Sequence, residues 1–451
     1  MNIILLSGGS GKRLWPLSND IRSKQFIKLF KDSDGHYESM VQRVYRQIKT
    51  VDPEASITIA TSKSQVSAIN NQLQMSGCKD VAISIEPKRR DTFPAILLSV
   101  AYLVDVLHHN PEEAVIICPV DPYVENSYYE TVKSLDKYVR EGNAAITLMG
   151  IEPTYPSEKY GYIIPKSTKQ VATVIAFKEK PDEDTAKTYL AQGALWNAGV
   201  FAFKLGYLLD KAKTLWPNKG YEDLLSRYDS LPKISFDYAV LEKEPSIQVV
   251  RYHGSWKDVG TWNMIAEVMA DATKGKVTMD ETCENTNVVN ELDVPVLVMG
   301  AKDMIVAASN DGILVADKIR SAKMKPLVEK IARAVHYAEK SWGTYRVIDE
   351  DMDEKQGGSL TVRIDLKAGS RMTYHSHAFR DEIWNILSGK GKALLDGEEY
   401  DLEPGISLSI AAGQKHTLRA DTDMSVIEIQ IGDTISKKDK HIYELPLKND
   451  Y

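Results

Sequence analysis

The sequence predicts an α/β domain with a doubly wound, mostly parallel sheet, followed by an all-β barrel. Three observations lead there. Short apolar runs alternate with amphipathic stretches from residue 1 to about 265, the pattern of strands joined by covering helices. From about residue 286 the runs shorten and Gly and Asp turns separate them, the texture of a small sandwich or barrel. The 451 residues give room for two or three domains at about 150 residues each. The expected division is 1–270, 271–340 and 341–451.

In chain order, 3–6, 57–60, 82–85, 114–118 and 145–149 read as buried strands, and 40–50 and 94–107 as helices between them. Ligands on such sheets sit beyond the carboxyl ends of the strands. In the middle region 288–289, 296–299, 304–308 and 313–316 read as short strands, and 322–339, rich in Lys and Glu, as a helical connector. Strands at 360–366, 393–396 and 425–430 belong to the barrel, and the charged tail from residue 437 reads as peripheral.

Composition narrows the class. Hydrophobics at 43% and charged residues at 26% are those of an ordinary globular chain. Lys and Arg total 56 against 63 Asp and Glu, a net charge of −7, which argues against nonspecific nucleic-acid binding and leaves room for a local cationic cluster. Cys78, Cys118 and Cys283 have no CxxC spacing and an odd count, as expected of free thiols in a reducing cytoplasm. The N-terminal apolar run is too short for a signal-peptide core, and no apolar stretch reaches the roughly 20 residues of a membrane span.

The first strand runs into Leu6-Ser-Gly-Gly-Ser-Gly-Lys-Arg-Leu14. Gly8, Gly9 and Gly11 allow a tight turn whose N–H groups can face a phosphate, and Arg13 adds a fixed cation. A plain strand–helix turn is the competing reading. A Rossmann fingerprint would place its third glycine at Leu14, and a P-loop would place its first at Leu6, so both are excluded.

The run Leu6-Ser-Gly-Gly-Ser-Gly-Lys-Arg-Leu-Trp-Pro-Leu17, followed by Ser23-Lys-Gln-Phe26, resembles the signature of sugar-1-phosphate nucleotidyltransferases, best that of the bacterial mannose-1-phosphate guanylyltransferases. Further matching segments follow in order: Glu86-Pro-Lys-Arg-Arg-Asp-Thr-Phe-Pro-Ala95, Pro119-Val-Asp121, Tyr160-Gly-Tyr-Ile163, Phe177-Lys-Glu-Lys-Pro181, Trp196-Asn-Ala-Gly-Val-Phe201, Phe236-Asp-Tyr-Ala-Val240 and Trp256-Lys-Asp-Val-Gly-Thr-Trp262. The resemblance implies attack of a sugar 1-phosphate oxygen on the α-phosphate of a nucleoside triphosphate, with GTP and mannose 1-phosphate as the favoured pair. An ionised phosphate needs no general base, so the site must supply cations and in-line positioning.

By resemblance, Gly8, Gly9, Gly11, Arg13, Lys24 and Glu86 serve the nucleotide, while Gly161, Glu179, Lys180 and Asn197 surround the sugar phosphate. Asp121 and Asp258 hold Mg2+, which takes hard oxygen ligands; without the match, an acidic residue at a strand end such as Asp121 is more often a cap or turn residue. The catalytic set is then Arg13, Lys24, Asp121, Lys180 and Asp258. Trp196 and Phe201 read as core. Thr92-Phe-Pro94, Asp121-Pro122, Ala198 and Val200 depart from the family pattern near the substrate regions, leaving another base or sugar as an alternative.

A second motif lies downstream. Gly369-x5-His375-x-His377-x4-Glu382-x6-Gly389, then Gly405-x5-Ala411-x-Gly413-x2-His416, resembles the two cupin motifs. His375 and His377 share a face at strand period, and with Glu382 and His416 they could hold a divalent transition metal such as Zn, Mn, Co, Ni or Fe. Unliganded histidines in a barrel are the alternative. Long members of the family carry a cupin that interconverts mannose 6-phosphate and fructose 6-phosphate, and Arg380 matches a residue of its active site. A bifunctional enzyme is thus one alternative, a non-catalytic sugar-nucleotide sensor another. The family also makes a homodimer an expectation.

Overall fold

The computed structural model describes residues 1–9, 12–19, 21–75, 81–215, 217, 219–331, 335–353 and 357–445; Gly11 and Cys78 lie outside them. Cys118 and Cys283 are unpaired. No helix among the described residues is long and apolar enough to cross a membrane. The chain forms two compact units. One comprises Met1–Ser10, Gln25–Val66 and Gln72–Ala270; the other comprises Gly11–Lys24, Ser67–Asn71 and Asp271–Tyr451.

The first unit is built on a nine-stranded sheet. Asn2–Leu6 lies between Ser56–Ser62 and Ala114–Pro119, parallel to both, and Ser56–Ser62 pairs in parallel with Ala82–Glu86. The β-branched runs in Asn2–Leu6, Ser56–Ser62 and Ala114–Pro119 are buried on both faces, as a helix-covered parallel sheet requires, while Ile85 in the edge strand Ala82–Glu86 is exposed. Helix Met40–Val51 starts at Ser39, whose hydroxyl accepts from the Gln42 amide while the Gln42 side chain accepts from the Ser39 amide. Helix Thr92–Asp105 is apolar nearly all round and buried accordingly.

Leu195–Lys204 enters antiparallel between Ala114–Pro119 and Ile146–Ile151, so the predicted doubly wound sheet is mixed in its second half. Trp196 and Phe201 are core residues, 4% and 3% exposed, as their sequence context suggested. Phe201 stacks on Phe236 with centroids 4.8 Å apart, which fixes the loop that follows Ser235. The four parallel strands end on one edge, and Gly8, Glu86 and Asp121 follow or close them there.

In the second unit, Asn287–Asn290 pairs in parallel with Thr273–Lys274 and Met304–Ser309, and Val277–Met279 with Val296–Val298. The helix expected over 322–339 does not form as such. Arg320–Lys323 is one 3-10 turn, Lys325–Val328 is a single α turn, and Tyr337–Lys340 is a strand paired with Gly343–Asp353. Pro326 sits in the first turn of that short helix, where it lacks no needed N–H. Cross-strand pairing then wins over the helical propensity of the Lys- and Glu-rich tract.

The barrel has two sheets. One runs Tyr337–Lys340, Gly343–Asp353, Gly357–Leu366, Met424–Gly432, Arg380–Ser388, Ser407–Ile410; the other runs Glu398–Leu402, Gly391–Leu395, His416–Ala420, His375–Ser376, His441–Ile442. Val362, Ile364, Trp384, Ala393, Leu418 and Val426 fill the space between them. The tail is not peripheral, as its charge had suggested. His441–Ile442 adds a strand against His375–Ser376, and the carboxylate of Asp439 accepts from the amides of Ala378 and Phe379 at 2.9 and 3.1 Å.

Candidate active site and candidate metal centre

Glycine at positions 8 and 9 brings the chain past Glu86. A Cβ on Gly8 would lie 3.9 Å from the Glu86 carboxylate, and Gly9 has φ +153°, a conformation side chains rarely adopt. The Gly9 carbonyl accepts from Arg89 at 3.0 Å. Glu86 is buried and accepts from the Tyr228 hydroxyl at 3.0 Å. Burial pushes its carboxyl above the ordinary range, against the pull of Tyr228 and Arg89. Tyr228 was not singled out in the sequence, because its contact spans 142 positions.

Asp121 and Asp258 come together through a two-strand ladder. Trp256–Asp258 runs antiparallel to Pro122–Val124, with Asp258 opposite Pro122. Both carboxylates line one cavity of about 200 Å³, with Gly161, Glu179, Asn197, Tyr160 and Trp256 among its other walls. Two half-buried carboxylates at one mouth are an oxygen donor set that suits Mg2+ and would leave places for phosphate oxygens and water.

The far wall is charged and partly unsatisfied. Glu179 is buried; one carboxylate oxygen accepts from Lys180 Nζ at 2.6 Å, and the other has no hydrogen-bond partner. Lys180 holds φ +45°, a left-handed value uncommon for a side-chain-bearing residue. Burial would lower its pKa, but Glu179 and Asp237 raise it on balance, so the ammonium stays charged. Gly161 leaves the space that the free Glu179 oxygen takes; a Cβ there would also sit 3.3 Å from Asn197 Cβ. The glycine thus makes room for the Glu179 carboxylate.

Asn197 is oriented at both ends. Its Nδ2 donates to Asp237 at 2.7 Å, and its Oδ1 accepts from the Gly199 amide at 3.0 Å. Burial and the charge of Glu179 push Asp237 up to about 6. Asp237 lies inside a segment quoted for its resemblance, yet nothing in the local pattern marks it as the partner of Asn197; only the fold of Phe236–Ala239 does.

Of the cations expected at the nucleotide, Arg13 and Lys24 fall within the second unit, on Gly11–Lys24. Arg13 is exposed and sits in the 3-10 turn Lys12–Leu14; Lys24 opens the turn Lys24–Phe26.

In the barrel the four expected ligands converge. His375 pairs across the ladder with His416, His377 follows two residues on, and Glu382 faces them from the other sheet. Ligand nitrogens of the three histidines lie within 4.8 Å of one another, all buried. Each Nδ1 donates to a backbone carbonyl: His375 to Thr373 at 2.6 Å, His377 to Asp439 at 2.8 Å, His416 to Gln414 at 2.8 Å. That fixes one tautomer and leaves every Nε2 as a lone pair facing inward. His416 Nε2 and one Glu382 oxygen are buried without a hydrogen-bond partner, 3.4 Å apart. Burial drives His375 down to about 2 and His377 to about 4, so both are neutral near pH 7. Burial would raise Glu382, but the polar groups around it, Arg380 among them, hold its carboxyl below the ordinary carboxylate range. Three buried imidazoles beside a carboxylate can hold a divalent transition metal.

Arg380 is buried beside this set, donating to Glu382 at 3.0 Å and to His377 Nε2 at 2.9 Å. Glu428 lies deeper, accepting from Trp384 Nε1 at 3.0 Å and from Gln430 at 2.6 Å. Burial and the charge of Glu382 push it up to about 7. Glu428 and Asp439 escaped the sequence reading because they follow the cupin spacing and carry no pattern of their own.

A nucleotidyl transferase family model matches residues 2–275. The chain belongs to that family. Residues 329–444 match a second model, mannose-6-phosphate isomerase C-terminal. Along its length the chain is 29% identical to the xanthan biosynthesis protein XanB of Xanthomonas campestris over 468 residues, 97% of this chain and 96% of that one. It is also 29% identical to the mannose-1-phosphate guanylyltransferase ManC of Salmonella typhimurium over 475 residues, again 97% and 96%. The crystal structure of a Thermus thermophilus protein described as a mannose-1-phosphate geranyltransferase superposes with TM-score 0.58 at 28% identity, covering 73% of this chain and 98% of that one. The protein is therefore a nucleotidyltransferase enzyme of mannose-1-phosphate guanylyltransferase-like type, an α/β domain followed by an all-β cupin region.

Proposed function

We propose that this nucleotidyltransferase converts GTP and mannose 1-phosphate to GDP-mannose and pyrophosphate. One observation carries the reading: Asp121, Asp258, Gly161, Glu179 and Asn197 line a single cavity, so the groups expected at the metal and at the sugar share one space. Similarity to ManC supports the choice of substrates.

The barrier is electrostatic, because two polyanions must meet. Lys180, kept charged by Glu179, binds the sugar phosphate. Glu179 turns its unpaired oxygen to sugar hydroxyls, and Asn197, braced by Asp237 and the Gly199 amide, offers the second hydrogen of its Nδ2. Glycines 8 and 9 give backbone N–H groups to the triphosphate, and Arg13 and Lys24 bring its cations. Asp121 and Asp258 would hold Mg2+, which when bound offsets charge on the phosphates. The attacking sugar-phosphate oxygen is already ionised, so no residue needs to remove a proton.

A screen of four nucleoside triphosphates against several sugar 1-phosphates, read as pyrophosphate release, tests the choice. GTP with mannose 1-phosphate should give the highest kcat/KM; a different best pair would replace the base or the sugar.

A second reading adds hexose 6-phosphate isomerisation in the barrel. It is favoured by the buried Arg380 lying against His377 and Glu382. A coupled mannose 6-phosphate to fructose 6-phosphate assay with Zn, Mn or Co tests it; inactivity with every metal would leave the barrel a binding domain.

A further inference from the structure

The segment Gly11–Lys24, which carries Arg13 and Lys24, is tied at four points to the strands that follow residue 285. Arg22 is 6% exposed and forms a two-pronged pair with Glu291, at 2.6 and 3.0 Å. The same guanidinium lies 4.9 Å from the Tyr337 ring centroid and 3.8 Å from Glu339. Asn19 donates to Asp311 at 2.7 Å and to the Tyr337 carbonyl at 3.2 Å, while its own Oδ1 accepts from the amides of Ile21 and Arg22. Ser309 Oγ donates to the Pro16 carbonyl at 2.7 Å. Gly312 has no Cβ because the Trp15 ring fills that space.

The chemistry of this clamp is specific. A planar guanidinium meets a carboxylate with two parallel bonds and lies against an aromatic ring, which an ammonium cannot reproduce. The pair is inside the protein, so breaking one side leaves an uncompensated charge. Arg22 is two residues before Lys24 and closes the turn begun at Asn19, so its position fixes the backbone direction entering Lys24.

We propose that Arg22, held by Glu291, is a positioning residue for nucleotide binding: the clamp holds residues 12–19 and 21–24 in the conformation that presents Arg13 and Lys24 to the triphosphate. The proposal rests on the reading of that loop as nucleotide-binding. It gives the strands between the catalytic sheet and the barrel a task, namely setting affinity for the nucleoside triphosphate.

The test compares the full-length protein with Arg22→Lys, Glu291→Gln and the swapped pair Arg22→Glu with Glu291→Arg. Lys302→Ala, which breaks the exposed Glu284–Lys302 pair in the same region, is the control. Amide hydrogen exchange of residues 12–24 is followed with and without GTP, together with KM for each substrate. The single variants should speed exchange in 12–24 and raise KM for GTP about tenfold. KM for the sugar phosphate and kcat should stay within about threefold, the swapped pair should recover part of the loss, and the control should match the parent protein. Unchanged exchange in 12–24 would overturn the clamp whatever the kinetics. Faster exchange with unchanged KM for GTP would overturn the positioning role, as would equal increases in both KM values, which mark general destabilisation. Should the parent protein release no pyrophosphate, the substrate reading fails by itself; the clamp is then judged by whether GTP slows exchange in 12–24, and no slowing overturns it.

Discussion

Asp258 stands directly across a two-strand ladder from Pro122, the residue after Asp121. Two carboxylates 137 positions apart thereby enter one cavity, and each depends on the other strand for its place. Asp258→Asn should lower kcat about 100-fold, roughly 2.7 kcal/mol of transition-state stabilisation. It should also raise the Mg2+ concentration needed for half-maximal rate. A Mg2+ titration at saturating substrates checks this; a fall in kcat with no shift in the Mg2+ midpoint would remove Asp258 from the ligand set.

Gly161→Ala should act through Glu179. The added methyl takes the place of the unpaired Glu179 oxygen and crowds the Phe177 ring at 3.1 Å. Overpacking of this kind costs about 1–3 kcal/mol. KM for the sugar phosphate should rise more than KM for the nucleotide, and a thermal melt alongside both KM values separates the two effects.

Asp237 gives a pH signature. Its carboxyl is pushed up to about 6 from 3.8 by burial and Glu179. A carboxyl whose folded pKa is raised favours the fold below its unfolded pKa and loses that contribution as pH rises through the folded value. Asp237→Asn keeps an acceptor for Asn197 and sheds the charge. It should match the parent protein near pH 4 and be more stable above pH 6, by about 1 kcal/mol after screening at a half-buried site. Melting both proteins from pH 4 to 8 reads the crossover.

The barrel should bind a divalent metal and be stabilised by it. Metal at about 100 times its dissociation constant adds roughly 2.7 kcal/mol, so Zn2+ or Mn2+ should raise the melting temperature and a chelator should reverse it. His416→Ala should abolish the rise. Asp439→Ala strands the amides of Ala378 and Phe379, at a cost of about 1–3 kcal/mol, and should weaken metal binding about tenfold by loosening His377.

Much of this was legible from local pattern. The apolar runs at 3–6, 57–60 and 114–118 became strands because β-branched runs flanked by turns have few other options. His375, His377, Glu382 and His416 were legible because fixed spacing on paired strands converges on one interior. What was not legible depends on distant partners. Residues 322–339 look helical until the Tyr337–Lys340 strand finds Gly343–Asp353. Asp439 looks solvated until its carbonyl meets His377. Arg22 was not singled out in the sequence, because its charge partner Glu291 lies 269 positions away.

The most direct measurement is pyrophosphate release from GTP and mannose 1-phosphate with Mg2+, comparing the parent protein with a folded Asp121→Asn variant. The parent should turn over, and the variant should lose about 100-fold in kcat at an unchanged melting temperature. Parent and variant turning over at equal rates would contradict the placement of nucleotidyl transfer in the Asp121–Asp258 cavity.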